Sequence, residues 1–116
     1  MLKKSPMENE LYEQMVESIP LAVVICDIRD FRITYVNETS RRTLAEIEDL
    51  LPIRGREIVG QSIDIFHTDP AHQRQILSNP ANLPHRAVIQ WGDEFLDLTA
   101  MAINGPDGKY QAAMLS

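Results

Sequence analysis

The chain has 116 residues, of which 44% are hydrophobic and 24% charged, a composition typical of one globular domain. Its formal net charge of −6 argues against DNA or RNA as the main partner, because phosphate binding needs an excess of Lys and Arg. The single cysteine, Cys26, excludes an internal disulfide and a cysteine-based zinc site. We expect a cytoplasmic location without membrane contact, because no apolar run approaches the roughly 18 residues of a membrane span and no signal-peptide pattern is recognisable.

The N-terminal part of the chain predicts an amphipathic helix. The stretch Ser5-Pro6-Met7-Glu8 has the form of a capping box, with proline at the first helical position. Leu11, Met15 and Ile19 then recur at four-residue spacing, and Pro20 ends the helix. Since so short a helix is marginal alone, its apolar stripe needs a partner, either the body of the domain or the same helix of a second copy. We predict that these three apolar residues form a dimer interface.

The remainder of the chain predicts a mixed α+β domain over residues 21–116, with residues 1–20 as the preceding helix. Strands are predicted at Leu21–Ile28, Arg32–Val36, His85–Trp91, Glu94–Ile103 and Lys109–Leu115. Short helices are predicted at Thr39–Asp49 with Asn37 as its cap, within Ser62–His67, and from Asp69 to about Ser78 with Asp69 as its cap. The dipeptide Gly92-Asp93 is a hairpin signal. We therefore expect a five-stranded antiparallel sheet with the helices packed on one face.

The chain resembles the PAS family over nearly its whole length, and three segments in their order along the chain carry the resemblance. Ile33-Thr34-Tyr35-Val36-Asn37 is similar to the second strand of that family and the helix cap that follows it. Ile58-Val59-Gly60-Gln61-Ser62 is similar to the approach to the next helix, and Gly105–Tyr110 to the turn into the last strand. The resemblance is nearest to the PAS modules of bacterial chemotaxis receptors.

The resemblance implies a PAS-type sensory module of a bacterial signal-transduction protein, either a chemoreceptor or a sensor kinase. Such a module binds a small ligand or cofactor, pairs as a homodimer, and passes the signal to a signalling domain of the same polypeptide through dimer rearrangement. The alternative is a cofactor-free PAS domain that serves only as a protein–protein interaction module. We expect no enzymatic activity, because the sequence lacks a nucleophile motif, a phosphate-binding loop and a helical metal motif.

Haem b is the leading cofactor hypothesis, because the resemblance offers two positions for an axial histidine. His72 lies at the start of the helix that carries the ligand in one haem-binding PAS group, and His67 lies near the short turn that carries it in another. His85 precedes a strand and is expected to face solvent. Haem-binding chemoreceptor PAS domains also use a tryptophan late in the last strand, and this chain has none there.

Small side chains on the last strands favour a pocket between the sheet and the helices. We predict that its lining includes Leu96, Leu98, Ala100, Ala102, Ile65 and Ile76. A noncovalently bound FAD is a less favoured occupant, since no residue set specifies it. Photosensors that form a cysteinyl adduct need a cysteine in the middle helices, whereas Cys26 lies in the first strand and is expected to be a buried apolar residue.

Overall fold

A computed structural model describes residues 6–47, 58–66, 69–91 and 93–116. The helices are α1 (Pro6–Ser18), α2 (Glu38–Glu46) and α3 (Pro70–Ser78), with short 3-10 helices η1 (Ile63–Phe66) and η2 (Pro80–Asn82). The strands are β1 (Val24–Asp27), β2 (Ile33–Val36), β3 (His85–Trp91), β4 (Glu94–Asn104) and β5 (Tyr110–Leu115). The five strands form one antiparallel sheet in the order β2-β1-β5-β4-β3, so the predicted α+β PAS-type fold is confirmed.

Local sequence accounts for the ends of the middle helices. The Asn37 side chain accepts a hydrogen bond from the Ser40 amide and caps α2, and the Asp69 side chain accepts one from the His72 amide and caps α3. Pro70 occupies the start of α3, where a missing amide hydrogen costs nothing. The predicted Gly92-Asp93 turn and the end of the helix predicted to reach Asp49 fall partly outside the described residues.

Strand register decides which side chains share a face of the sheet. Val36, Val24, Leu115, Ala100 and His85 are paired in turn across all five strands and therefore point to one face, which we call the inner face. The neighbouring row runs through Ile33, Cys26, Ala113 and Ala102. The opposite, outer face carries Tyr35, Ile25, Met114 and Met101.

The hydrophobic core lies between the inner face and the helices. Its buried members come from the sheet, the β1–β2 turn, α2 and its C-cap, α3, η1 and the segment before η1: Cys26, Phe31, Ile33, Val36, Leu44, Ile47, Ile58, Ile63, Leu77, Ala100 and Ala113. Phe31 adopts a left-handed backbone conformation with φ of 58° in the β1–β2 turn. Its amide donates to the Asp27 carbonyl and its carbonyl accepts from the Ile63 amide, so this turn positions η1.

Candidate functional site

A small cleft lies between α3 and the inner face of the sheet. Gln73 and Leu77 of α3 form one wall, and the sheet forms the other through His85, Ala87, Ile89, Leu98, Ala100 and Leu115. The cleft has a volume of about 30 Å³, which is room for roughly one water molecule. Its lining is apolar except for Gln73 and His85. This arrangement is a narrow, mainly apolar cleft whose lining includes one imidazole and one amide.

Polar contacts fix α3 above the sheet. The Arg74 guanidinium donates to both carboxylate oxygens of Asp64, at 2.9 and 2.7 Å, and lies 5.0 Å from the centroid of the Phe31 ring. At the other end of the helix, the Tyr110 hydroxyl donates to the Leu77 carbonyl oxygen at 2.7 Å. Burial raises the pKa of Tyr110 to about 12, so this hydroxyl stays a donor at neutral pH. These contacts tie the helical wall of the cleft to η1, the β1–β2 turn and β5.

Of the six residues predicted to line a pocket, two line the cleft. Leu98 and Ala100 line the cleft, while Leu96 and Ile65 pack beside it against the core. Ile76 is half-buried on α3, but the helical wall of the cleft is formed by Gln73 and Leu77 instead.

Ala102 does not line this cleft, so its place in a ligand pocket stays a prediction. Its register places it on the inner face, opposite Ala113, yet its side chain is exposed. The reason is that β3 begins opposite Ala100, so β4 has no neighbour on that side at Ala102.

The three histidines have different surroundings from those expected. His67 lies outside the described residues. His72 is exposed in the first turn of α3, which does not suit an axial ligand held against an apolar wall. His85, expected to face solvent, is half-buried and lines the cleft, which corrects that expectation. The inward orientation of His85 could have been predicted from the sequence. His85, Ala87 and Ile89 alternate with Arg86, Val88 and Gln90, so the three share one face of the sheet.

Cys26 is a fully buried thiol on the inner face, as predicted. Burial raises its pKa to about 11, so the thiolate is disfavoured at neutral pH. Within the described ranges, no three His, Cys, Asp or Glu side chains are grouped closely enough to hold a metal ion. In this same part of the chain, no helix is both long and apolar enough to cross a bilayer.

The C-terminal end of α1 is attached to β2 and α2 by side chains that we call the α1 anchor: Glu17, Tyr35, Asn37, Thr39 and Arg41. The fully buried Asn37 donates to the carbonyls of Val16 and Leu21, at 2.9 and 2.7 Å, and accepts from the Val23 amide at 2.9 Å. The Thr39 hydroxyl donates to the Ile19 carbonyl at 2.9 Å. Carbonyls at the end of α1 and just beyond it are thereby satisfied by the side chains of Asn37, the cap of α2, and of Thr39 in α2.

Glu17 is the charged member of the α1 anchor. Its carboxylate accepts from the Tyr35 hydroxyl at 2.6 Å and from the Arg41 guanidinium, which also donates to the Val36 carbonyl at 2.8 Å. The Tyr35 hydrogen bond, followed by the Arg41 contact, lowers the pKa of Glu17, while burial and then the Glu17 contact raise the pKa of Tyr35 to about 12. At neutral pH the anchor therefore holds an ionised carboxylate between a neutral phenol and a cation.

We expect the α1 anchor to weaken as pH falls. Because the folded pKa of Glu17 lies below its ordinary value of 4.5, its stabilising contribution is present above about pH 4.5 and is lost as pH falls through the folded pKa. NMR titration of the Glu17 side-chain carboxyl carbon measures this pKa. Tyr35→Phe should move it upward toward the ordinary value, whereas Tyr110→Phe, which removes a distant hydroxyl, should not. An unchanged midpoint in Tyr35→Phe would contradict the assignment.

The predicted apolar stripe, which runs along α1 and to the residue just beyond its end, is exposed. Leu11, Met15 and Ile19 are 60%, 58% and 42% exposed, so the predicted stripe is not buried against the body of the same domain. The sequence left two possible partners for this stripe, the body of the domain and a second copy. Packing against a second copy stays the prediction.

Comparison with known proteins assigns the class. A family model described as a PAS domain matches residues 10–82, which is more than half of the chain. The chain therefore belongs to the PAS family. The chain is 30% identical over 100 residues to the methyl-accepting chemotaxis protein McpB of Pseudomonas aeruginosa. That match covers 82% of this chain but only 14% of the chemotaxis protein, so the chain spans a small part of that relative.

Solved structures agree with the fold. A chain of the Aer2 receptor from Vibrio cholerae, described as a dual PAS-haem oxygen sensor, superposes with a TM-score of 0.75 at 34% identity, over 81% of this chain and 88% of that one. The PAS domain of an HTR-like protein from Haloarcula marismortui superposes with a TM-score of 0.59 at 19% identity, over 97% of this chain and 96% of that one. The second likeness shows the fold alone.

Proposed function

We propose that this chain is the non-catalytic sensory module of a larger, cytoplasmic signalling protein, and that it binds a small ligand in the cleft between α3 and the sheet. The observation that carries the proposal is the cleft itself, where a half-buried imidazole and one amide face an otherwise apolar enclosure. Support for the larger protein comes from the similarity to a chemotaxis protein of which this chain would be about one seventh.

The proposed mechanism is a population shift that begins at α3. A ligand larger than one water displaces α3 from the sheet, which strains the Arg74–Asp64 and Tyr110–Leu77 contacts. The displacement reaches β5 and its neighbour β1, whose preceding segment is held by Asn37. The α1 anchor then transmits the change to the exposed stripe of α1. In a homodimer built on that stripe, the result is a change in the geometry of the paired helices.

Haem b is the first cofactor to test, because the similar Vibrio cholerae receptor is described as a PAS-haem sensor. The described residues do not fit it as they stand. The cleft of about 30 Å³ is far below the roughly 300–1,000 Å³ of ordinary ligand sites, and His72 is exposed. A haem ligand at His67 rests on the family resemblance, and one at His85 would require α3 to move away from the sheet.

An absorption spectrum of protein purified from cells supplied with a haem precursor tests the cofactor, before and after reduction. If the cleft stays closed, we expect no Soret band, and a colourless ligand remains the proposal. A Soret band lost in His85→Ala but kept in His72→Ala would place haem in the cleft. Loss of the band in His67→Ala alone would place its axial ligand in the segment before α3. A band lost only in His72→Ala would contradict the proposed site.

The homodimer is tested at the α1 stripe. Replacing Leu11 and Met15 together by glutamate places two charges in the proposed interface, so the mass from light scattering should fall from dimer to monomer at micromolar concentration. Val88→Glu is the matched control, because Val88 is 64% exposed on β3, away from α1. A double variant that stays dimeric would show that another surface pairs the molecules. A wild-type chain that is monomeric would favour a role for the stripe within the full-length protein.

A further inference from the structure

A second, larger cavity lies on the opposite side of the sheet from the cleft. It is a groove of about 620 Å³ between α1 and the outer face, within the range of roughly 300–1,000 Å³ that small-molecule sites occupy. Tyr12 and Val16 of α1 line one side, and Ile25 and Tyr35 of the sheet line the other. The groove therefore offers two aromatic side chains and two aliphatic ones.

The charges of the groove are acidic and only partly compensated. Glu17 lies in the lining, but its carboxylate is already engaged by Tyr35 and Arg41. Glu13 also lines the groove, is exposed, and makes no ion pair with any residue that the structure describes. Its negative charge is felt at the Tyr35 hydroxyl, whose pKa it helps to raise after burial and the charge of Glu17. The groove therefore carries, beside its two tyrosines, one carboxylate that no described cation pairs with.

This combination selects one chemical class of ligand. An anion would be repelled by Glu13, and a neutral apolar molecule would gain nothing from it. An organic cation gains from the carboxylate and from the faces of tyrosine rings, the combination by which proteins recognise quaternary ammonium groups. We propose that the groove between α1 and the outer face binds an organic cation with a compact apolar body, such as a quaternary ammonium compound, with Glu13 as the counter-charge.

The test uses three probes of nearly the same shape and different charge: choline, its neutral isostere 3,3-dimethylbutan-1-ol, and the anion 3,3-dimethylbutanoate. Binding to the 116-residue chain is followed by NMR through the methyl groups of Val16 and Ile25. We expect choline to bind at least about 3-fold more tightly than the alcohol, since an exposed cation–aromatic contact gives about 2–5-fold. The anion should bind most weakly.

Substitutions assign the effect to the groove. Glu13→Gln keeps the shape of the side chain and should weaken choline binding about 2–5-fold without changing binding of the alcohol. Glu10→Gln is the matched control, since it removes one charge from the same helix outside the groove lining and should leave the preference intact.

The proposal is overturned if the alcohol binds as tightly as choline, or if Glu10→Gln and Glu13→Gln have equal effects. It is overturned also if choline shifts no groove methyl group, or shifts those of Leu98 and Leu115 in the inner cleft instead. Because the groove and the cleft share no lining residue, failure here leaves the proposed sensory function untouched, and failure of the cleft leaves the groove untouched.

Discussion

Replacing Asn37 by alanine is expected to lower the free energy of unfolding by about 2–4 kcal/mol, through loss of the α2 cap and of three hydrogen bonds to residues before β2. The side chain is fully buried, and its amide and carbonyl groups make four hydrogen bonds of 2.7–2.9 Å. Its removal leaves the Val23 amide without a partner and releases the carbonyls of Val16 and Leu21. Equilibrium unfolding in urea, followed by circular dichroism, measures the loss.

Two companion variants separate the contributions at Asn37. Asn37→Asp keeps the cap on Ser40 but turns a carboxylate toward two carbonyls, so it should also destabilise the chain. Asn79→Ala removes an exposed side chain that caps only the short helix η2, so it should cost less than about 1 kcal/mol. Equal losses in Asn37→Ala and Asn79→Ala would show that the buried bonds contribute nothing beyond a local cap.

Replacing Ile63 by alanine is expected to cost about 3–5 kcal/mol, the upper part of the range for emptying a core site. Ile63 is fully buried at the start of η1, and its amide donates to the Phe31 carbonyl at 2.9 Å. The substitution leaves a cavity where η1, the β1–β2 turn and the core meet. Because Arg74 of α3 binds Asp64 of η1 and lies over the Phe31 ring, the helical wall of the cleft should loosen as well.

Val59→Ala is the matched control for Ile63, since it removes apolar atoms from a side chain that is 53% exposed. The free energy of unfolding of Val59→Ala should fall by less than about 1 kcal/mol. Amide hydrogen exchange measures the expected loosening of α3. The exchange rates of α3 amides should rise in Ile63→Ala but not in Val59→Ala. A loss below about 1 kcal/mol in Ile63→Ala would show that the core collapses onto the vacated space.

Local sequence signals predicted the elements that depend on neighbours in the chain. The helix α3 begins at Pro70 after the predicted Asp69 cap, and β3 runs over the predicted His85–Trp91. The cap of α2 by Asn37 was predicted in the same way. Capping and strand alternation act over a few residues, so they are recorded directly in the sequence.

Contacts between distant segments could not be read from such signals. The cap at Asn37 was visible, but its bonds to Val16, Leu21 and Val23 depend on where the end of α1 lies. Ala102 alternates onto the inner face, yet it is exposed, and the pairing of β3 with β4 does not extend past Ala100 to reach it. His85 was expected to face solvent because it begins a strand, yet it is half-buried and lines the cleft. Its alternation with Arg86 had indicated the inner face.

The sequence by itself determined the PAS-type element order, the caps and the amphipathic α1, because each follows from spacing and side-chain chemistry along the chain. Only the tertiary structure decided that His85 and Gln73 face one cleft, that α1 and the outer face enclose a groove, and that Glu17 meets Tyr35 and Arg41. His85 lies 12 positions from Gln73, and Glu17 lies 18 and 24 positions from Tyr35 and Arg41. Their meeting depends on strand order and on how each helix packs on the sheet.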